Sequence, residues 1–191
     1  MRVKSKFYSE FSEKLGPSQR WHAFSLIYEY LSKLERPVSI IETGTARKSD
    51  DWIGDGNSTA VWDFIARETS GRLTSIDIDK DAIDSVKERF PETNAIESDS
   101  VTALRNLYSI KDADLVYLDS MDYSEGQEQA SSLHHAAELC SIYSDLKSGC
   151  LIAIDDCFSP VHGKHAIASA VLSIVGAEKV LESYISVWRK P

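Results

Sequence analysis

The chain has 191 residues, 42% hydrophobic and 27% charged, with nine Gly and five Pro. That describes an ordinary globular domain with at most a short appendage, and it excludes a disordered or collagen-like chain. A formal net charge of −9 makes the average field repel nucleic-acid backbones and anionic membranes, so neither is expected as a partner. The three cysteines, Cys140, Cys150 and Cys157, are odd in number and lack CxxC spacing, which argues against a disulfide framework or zinc knuckle. With no long apolar run and no signal-peptide core, the expected compartment is the cytoplasm.

In chain order, a helical piece around Phe7–Leu15 breaks at Gly16-Pro17, and apolar positions from Trp21 to Leu34 recur at helical spacing until Arg36-Pro37. Residues 1–36 read as an N-terminal helical extension and residues 37–191 as the main domain. From Val38 onward, short β-rich runs alternate with amphipathic helices. The runs are Val38–Thr43, Arg72–Ile78, Asn94–Glu97, Ala113–Asp119 and Gly149–Asp155. Apolar helical faces lie between them at Ala60–Ile65, Ala82–Phe90, Val101–Tyr108 and about Glu125–Leu146, and one more covers about Lys164–Val175. This alternation predicts an α/β fold, a doubly wound, mostly parallel sheet with helices on both faces. Lys179–Leu181 and Tyr184–Trp188 predict a C-terminal antiparallel strand pair.

Ligands of open α/β sheets bind beyond the carboxyl ends of the strands, and here those ends are acidic. Glu42 closes the first strand, Asp77 and Asp79 the second, Asp99 follows the third, Asp119 ends the fourth and Asp155-Asp156 the fifth. Like charges so placed repel by about 4 kcal/mol per pair at 4 Å with an effective dielectric near 20. A positive charge or many hydrogen-bond donors therefore belong beside the row, although helix capping accounts for some of these acids. After the first strand, Glu42-Thr43-Gly44-Thr45-Ala46 leads through a polar stretch, Arg47–Asp55, to Gly56-Asn57-Ser58-Thr59. This turn lacks the GxGxxG of dinucleotide folds and the lysine of a P-loop. A ligand with ribose and adenine, no phosphate and a positive charge remains, and S-adenosylmethionine meets all three conditions.

The pieces Ile40-Ile41-Glu42-Thr43-Gly44-Thr45, Ser75-Ile76-Asp77-Ile78-Asp79, Asp114 to Asp119 and Leu146 to Asp156, in this order, resemble a class I S-adenosylmethionine-dependent methyltransferase of Rossmann-like fold. Within that class the chain resembles the small O-methyltransferases related to the catechol, caffeoyl-CoA and macrocin enzymes. The resemblance implies that Glu42 and Gly44 line the methionine and ribose of the cofactor, with Thr45, Ser58 and Thr59 supplied by the opened turn. It implies that Asp77, beside Ile78, accepts hydrogen bonds from the ribose hydroxyls, that Asp99 and Ser100 lie near the adenine amine, and that Asp119 closes the site. It also implies Mg²⁺ held by Asp119, Asp155 and Asp156, where it would bind the acceptor hydroxyl and lower its pKa. The relatives carry Lys or His three residues after the first of these acids. This chain has Asp122, ranked as general base, then metal ligand, then solvated loop acid. Arg47 and Trp52 either cover the cofactor or belong to an exposed loop. Packed or solvated roles are the default for His134, His135, His162 and His165.

The expectation is an enzyme that methylates a hydroxyl of a small molecule. A catalytically silent methyltransferase-fold binding protein and a nucleotide-dependent oxidoreductase are the rival readings. Little chain lies beyond the core fold, so a substrate lid comes from residues 1–36, Arg47–Asp55 and Pro160–His165, or from another subunit of a homo-oligomer.

Overall fold

The computed structural model describes residues 2–191, and their side chains from Lys6 onward. Five parallel strands, β1 (Ser39–Thr43), β2 (Arg72–Asp77), β3 (Asn94–Glu97), β4 (Leu115–Leu118) and β5 (Leu151–Ile154), fall on the five predicted runs. After β5 comes a short hairpin, β6 (Cys157–Ser159) with β7 (His162–Gly163), and the chain ends in β8 (Glu178–Leu181) and β9 (Ser186–Arg189). The main sheet has the order β3-β2-β1-β4-β5-β9-β8, with β9 antiparallel to β5 and β8 antiparallel to β9. Strand order reverses between β1 and β4, which opens the crevice where α/β sheets bind ligands.

Period-two alternation sorts the strand residues between two cores. Ile40, Leu115, Tyr117 and Leu151 face α1 (Arg2–Leu15), α2 (Trp21–Ser32) and α3 (Ser58–Glu68), whereas Ile41, Val116, Leu118 and Ile152 face the other way. The second core is built with residues of α5 (Ser100–Asn106), α6 (Glu128–Ile142) and α7 (Ala166–Ile174), among them Leu104, Leu139 and Leu172. The remaining helix, α4 (Lys80–Arg89), buries Ala82, Ile83 and Val86. Both faces are thus covered, as the apolar strands require. The N-terminal helices share the first core: Phe7 stacks on Tyr28 at 4.0 Å, and Phe24 meets Trp62, which meets Tyr117, at 5.0 and 5.1 Å. No helix among the described residues is long and apolar enough to cross a membrane.

Two expectations shift. The helix expected over Glu125–Leu146 is confined to Glu128–Ile142, and α7 begins at Ala166, leaving Lys164 in the preceding turn. The β6–β7 hairpin has strands of three and two residues, too short for alternation to announce them.

Asp114 fastens the amino ends of β1 and β4. Its carboxylate accepts from the Ser39 amide at 2.9 Å, from Arg36 at 2.6 and 3.0 Å, and lies 2.6 Å from the Lys147 ammonium. Burial alone would raise its pKa, but Arg36, Lys147 and the Ser39 N–H hold it below the usual aspartate value. A carboxyl depressed in the folded state stabilises the protein above its unfolded pKa, and that contribution is lost as pH falls through the lower folded value. Asp114→Asn should cost about 1–3 kcal/mol at pH 7. In urea titrations across pH, the gap between variant and wild type should close below about pH 4; a gap that persists there would dissociate the loss from this carboxylate's charge.

Candidate active site

Two adjoining cavities occupy the crevice at the carboxyl edge. One of about 290 Å³ is lined by Asp77, Ile78, Asp99, Ser100, Met121 and His134, with Ile76, Ser120 and Asp122. The other, of about 260 Å³, includes Gly44, Thr45, Ser58, Asp119 and Asp156, and the two share Asp77, Ile78 and Ser120. Together they fall within the roughly 300–1,000 Å³ of small-molecule pockets. A larger cavity of about 840 Å³ lies elsewhere, near the carboxyl ends of α2 and α3, lined by Tyr28, Arg36, Ile65 and Ser70 among others, and contains none of the acids at the strand carboxyl ends. Of the ten residues expected at the cofactor, eight line one of the two crevice cavities; Glu42 and Thr59 do not.

Those two lie one layer below, where they brace the opened turn. Glu42 is fully buried and accepts from the Ser75 hydroxyl at 2.6 Å and the Ser58 hydroxyl at 3.2 Å. Burial pushes its carboxyl up to about 7 against the opposing hydrogen bonds from Ser75, Thr59 and Ser58. The Thr59 hydroxyl accepts the Ala46 N–H at 2.8 Å. Asp77 accepts from the Thr45 amide at 2.8 Å and hydroxyl at 3.2 Å, and from the Asp79 amide at 2.9 Å, so it ties the β1 turn to the end of β2. Gly44 has φ +80°, and a Cβ there would lie 2.3 Å from the Asp119 carbonyl oxygen; close approach of the two loops demands glycine. Two acids of the row are caps: Asp79 accepts from the first amides of α4, and Asp99 from the Thr102 amide of α5 at 2.8 Å. Asn57, at the N-cap position of α3 and at φ 48°, makes no capping bond; its side chain instead joins the Ser49 carbonyl and Arg89.

The structure brings Asp119, Asp155 and Asp156 together and seats two cations among them. Arg20, 5% exposed, donates Nε to Asp155 at 2.6 Å and Nη2 to Asp156 at 3.3 Å, while Nη1 reaches the Ile53 and Gly54 carbonyls. Lys164, 1% exposed, pairs with Asp119 and, at 3.0 Å, with Asp156. The Tyr117 and Tyr184 hydroxyls donate to Asp155 and Asp156, and Gly163, one residue before Lys164, packs so tightly that a Cβ would lie 2.3 Å from the Asp156 carbonyl oxygen. Burial opposes charge on both cations, but the surrounding aspartates overcome it and hold both side chains charged. Burial, together with Asp155 and Asp156, pushes the Asp119 carboxyl well up despite Lys164. Burial also acts upward on Asp156, where Lys164, Tyr184 and Arg20 prevail and hold it low.

This arrangement corrects the expected metal centre. A divalent ion set about 4 Å from the Lys164 ammonium would be repelled by on the order of 8 kcal/mol at an effective dielectric near 20, and one oxygen of Asp119, one of Asp155 and both of Asp156 already serve Arg20, Lys164 and two tyrosines. Among the described residues no group of three or more His, Cys, Asp or Glu is disposed to hold a metal ion. The residues do not fit Mg²⁺. Reasoning from the sequence missed Arg20 and Lys164, although the self-repulsion of the acid row was the signal that a positive charge belonged there.

Asp122 is exposed and paired with Arg47 at 3.1 and 3.2 Å, an ion pair between the loops that follow β1 and β4. The residue expected first as general base thus lies on the wall of the 290 Å³ cavity with its carboxylate shared with Arg47. Trp52 points away from the crevice to Phe11 of α1, with Lys14 over its ring. His134 hydrogen-bonds Ser100 at 2.9 Å on the cavity wall; His135 is buried with Nδ1 on the Ser131 carbonyl, and burial lowers its pKa to about 4. Below them Glu138 accepts from Ser120 at 2.7 Å.

The sequence matches no family model and no curated protein. The fold is nevertheless shared with solved methyltransferases. The calicheamicin methyltransferase CalS11 aligns over 99% of this chain and 93% of its own at 14% identity, with a TM-score of 0.61. SMU.1697c of Streptococcus mutans, solved with S-adenosylhomocysteine, aligns over 87% and 96% at 13% identity and a TM-score of 0.56. A TehB-like S-adenosylmethionine-dependent methyltransferase of Corynebacterium glutamicum aligns over 94% and 99% at 15% identity and 0.52. At such identities the likeness establishes the class I, Rossmann-like architecture.

Glu42 supplies a test of the braced turn. A carboxyl raised from about 4.3 unfolded to about 7 folded stabilises most below the unfolded pKa, and its contribution declines as pH rises through the folded value. Melting temperatures of wild type should therefore carry a downward component between about pH 4.5 and 7 that Glu42→Gln removes. Parallel pH profiles for the two proteins would show that folding leaves the Glu42 carboxyl unshifted.

Proposed function

We propose that this chain is an S-adenosylmethionine-dependent methyltransferase that methylates a hydroxyl of a small molecule. The observation that carries the reading is the continuity of two ligand-sized cavities through Asp77, Ile78 and Ser120, ending at the Asp119–Asp156 cluster, on a methyltransferase fold. The donor and acceptor set fits the cofactor. Asp77 is an acceptor for ribose hydroxyls; exposed Ile78 and half-buried Met121 offer apolar contact to the adenine, with Asp99, Ser100 and His134 at its edge. Asp119 and Asp156 offer negative charge to a sulfonium.

When bound, the cofactor supplies an electrophilic methyl group. The chain's own residues then bind and orient the acceptor and receive its proton. Asp155 is fully buried, whereas the Asp119 and Asp156 side chains are 16% and 19% exposed, so these two face a hydroxyl entering the 260 Å³ cavity. Asp119, whose carboxyl is pushed up by burial and by Asp155 and Asp156 against the pull of Lys164, is the acceptor of that proton. Phe158, 55% exposed, lies between Tyr123 and Tyr184 at 5.4 and 5.7 Å, an aromatic wall beside Asp156 suited to an acceptor with an apolar face. CalS11 is described as a TDP-rhamnose 3′-O-methyltransferase, and its likeness supports a hydroxyl acceptor here.

S-adenosylhomocysteine should raise the melting temperature while NAD does not, and Asp77→Ala should weaken calorimetric binding by about 1.5–3 kcal/mol. With labelled S-adenosylmethionine and a panel of hydroxyl, amine and carboxylate acceptors, label should move to oxygen; Asp119→Asn should lower turnover more than cofactor affinity. Tight binding with no transfer to any acceptor would favour the silent binding protein, and transfer only to nitrogen would exclude the hydroxyl assignment.

A further inference from the structure

The acid cluster invites a divalent cation by composition, yet its charge is already compensated from within the chain. Three carboxylates face two cations, and both cations are enclosed: Arg20 at 5% and Lys164 at 1% exposure. Neither is an adaptable surface side chain. Arg20 is anchored at both ends of its guanidinium, by Asp155 and Asp156 on one side and by the Ile53 and Gly54 carbonyls on the other, with its face over the Tyr184 ring at 4.8 Å. Lys164 is delivered by the turn after β7, where Gly163, at φ +129°, presses against the Asp156 backbone. The Asp156 backbone is itself left-handed at φ 50°, a conformation that L-residues rarely keep unless their surroundings hold it. Hairpin, lysine and second aspartate thus form one built unit.

We infer that Lys164 and Arg20 stand permanently where a divalent cation would otherwise bridge Asp119, Asp155 and Asp156, so that methyl transfer in this protein runs without a metal. Lys164 is the positioning residue. It touches Asp119 and Asp156, and these in turn meet the acceptor, so its ammonium fixes both carboxylates toward the cavity. A metal with open coordination positions grips an acceptor through its oxygens, whereas here the exposed carboxylates of Asp119 and Asp156 accept hydrogen bonds from its hydroxyl. The inference rests on the proposed methyltransferase activity for its chemistry, but the absence of a metal site can be read without it.

The test uses Mn²⁺ as probe, followed by electron paramagnetic resonance, with calorimetric S-adenosylhomocysteine binding measured on the same samples. Wild type should leave millimolar Mn²⁺ free, and EDTA should change neither its melting temperature nor its transfer to labelled product. Lys164→Ser opens the space and removes one positive charge from three carboxylates, so it should gain Mn²⁺ affinity by at least about tenfold. Lys164→Arg, which keeps the charge, should not. A general folding defect would not create a Mn²⁺ site that depends on the charge at residue 164. Stoichiometric Mn²⁺ binding by wild type would overturn the inference, as would abolition of transfer by EDTA; both measurements stand on the wild-type protein even if a variant fails to fold. Equal Mn²⁺ affinity in wild type and in a folded Lys164→Ser would overturn it too. Failure of wild type to bind S-adenosylhomocysteine would instead strike the methyltransferase reading and leave the Mn²⁺ result standing.

Discussion

Three aspartates converge at the carboxyl ends of β4 and β5, and their mutual repulsion is the constraint that shapes the surrounding structure. Burying one unpaired carboxylate costs several kcal/mol after relaxation, and Asp155 is completely buried. Arg20 lies 135 residues away in sequence from Asp155, so the pair forms only when the N-terminal helices are docked on the sheet. Those helices are held there by the aromatic stack of Phe7, Tyr28, Phe24 and Trp62. Packing on one face of the sheet thereby sets the electrostatics at its edge.

The same coupling reaches the loop after β1. Arg20 donates to the carbonyls of Ile53 and Gly54 while it holds the aspartates, and Trp52 is packed on α1. The polar insertion that opens the turn is therefore not a free flap: its middle is tied to the helical layer and its start, through Arg47, to Asp122 across the cleft. Beneath it, Glu42 and Thr59 organise the hydroxyls and amides that line the cavity. A cleft whose donors and acceptors are already oriented loses less entropy on binding than one that must assemble.

Two cations against three carboxylates leave one surplus negative charge in a partly dry site. That surplus is suited both to a positively charged ligand and to taking up a proton, and the exposure of Asp119 and Asp156 directs it toward the 260 Å³ cavity. The aromatic trio of Tyr123, Phe158 and Tyr184 borders this charged point on the hairpin side, so polar and apolar recognition meet within one short segment after β5.

Much of this is local and was legible in the residues. Runs of four to seven residues announced the strands, and the acids at the strand ends marked the ligand edge and required a counter-charge. Spacing cannot identify that counter-charge, because an ion pair between positions 20 and 155 has no period; it depends on which helix docks on which face. Nor could it place Glu42 below the cavity rather than on its wall, or join Asp122 to Arg47, since both outcomes follow from how far two loops approach over Gly44. The sequence by itself determined the architecture and the location of the site, through periodicity and charge that act between neighbours. Tertiary structure alone decided that the cations of that site are an arginine and a lysine of the chain, because only folding brings Arg20 to 2.6 Å from Asp155, 135 residues away, and seats Lys164 between Asp156 and Asp119.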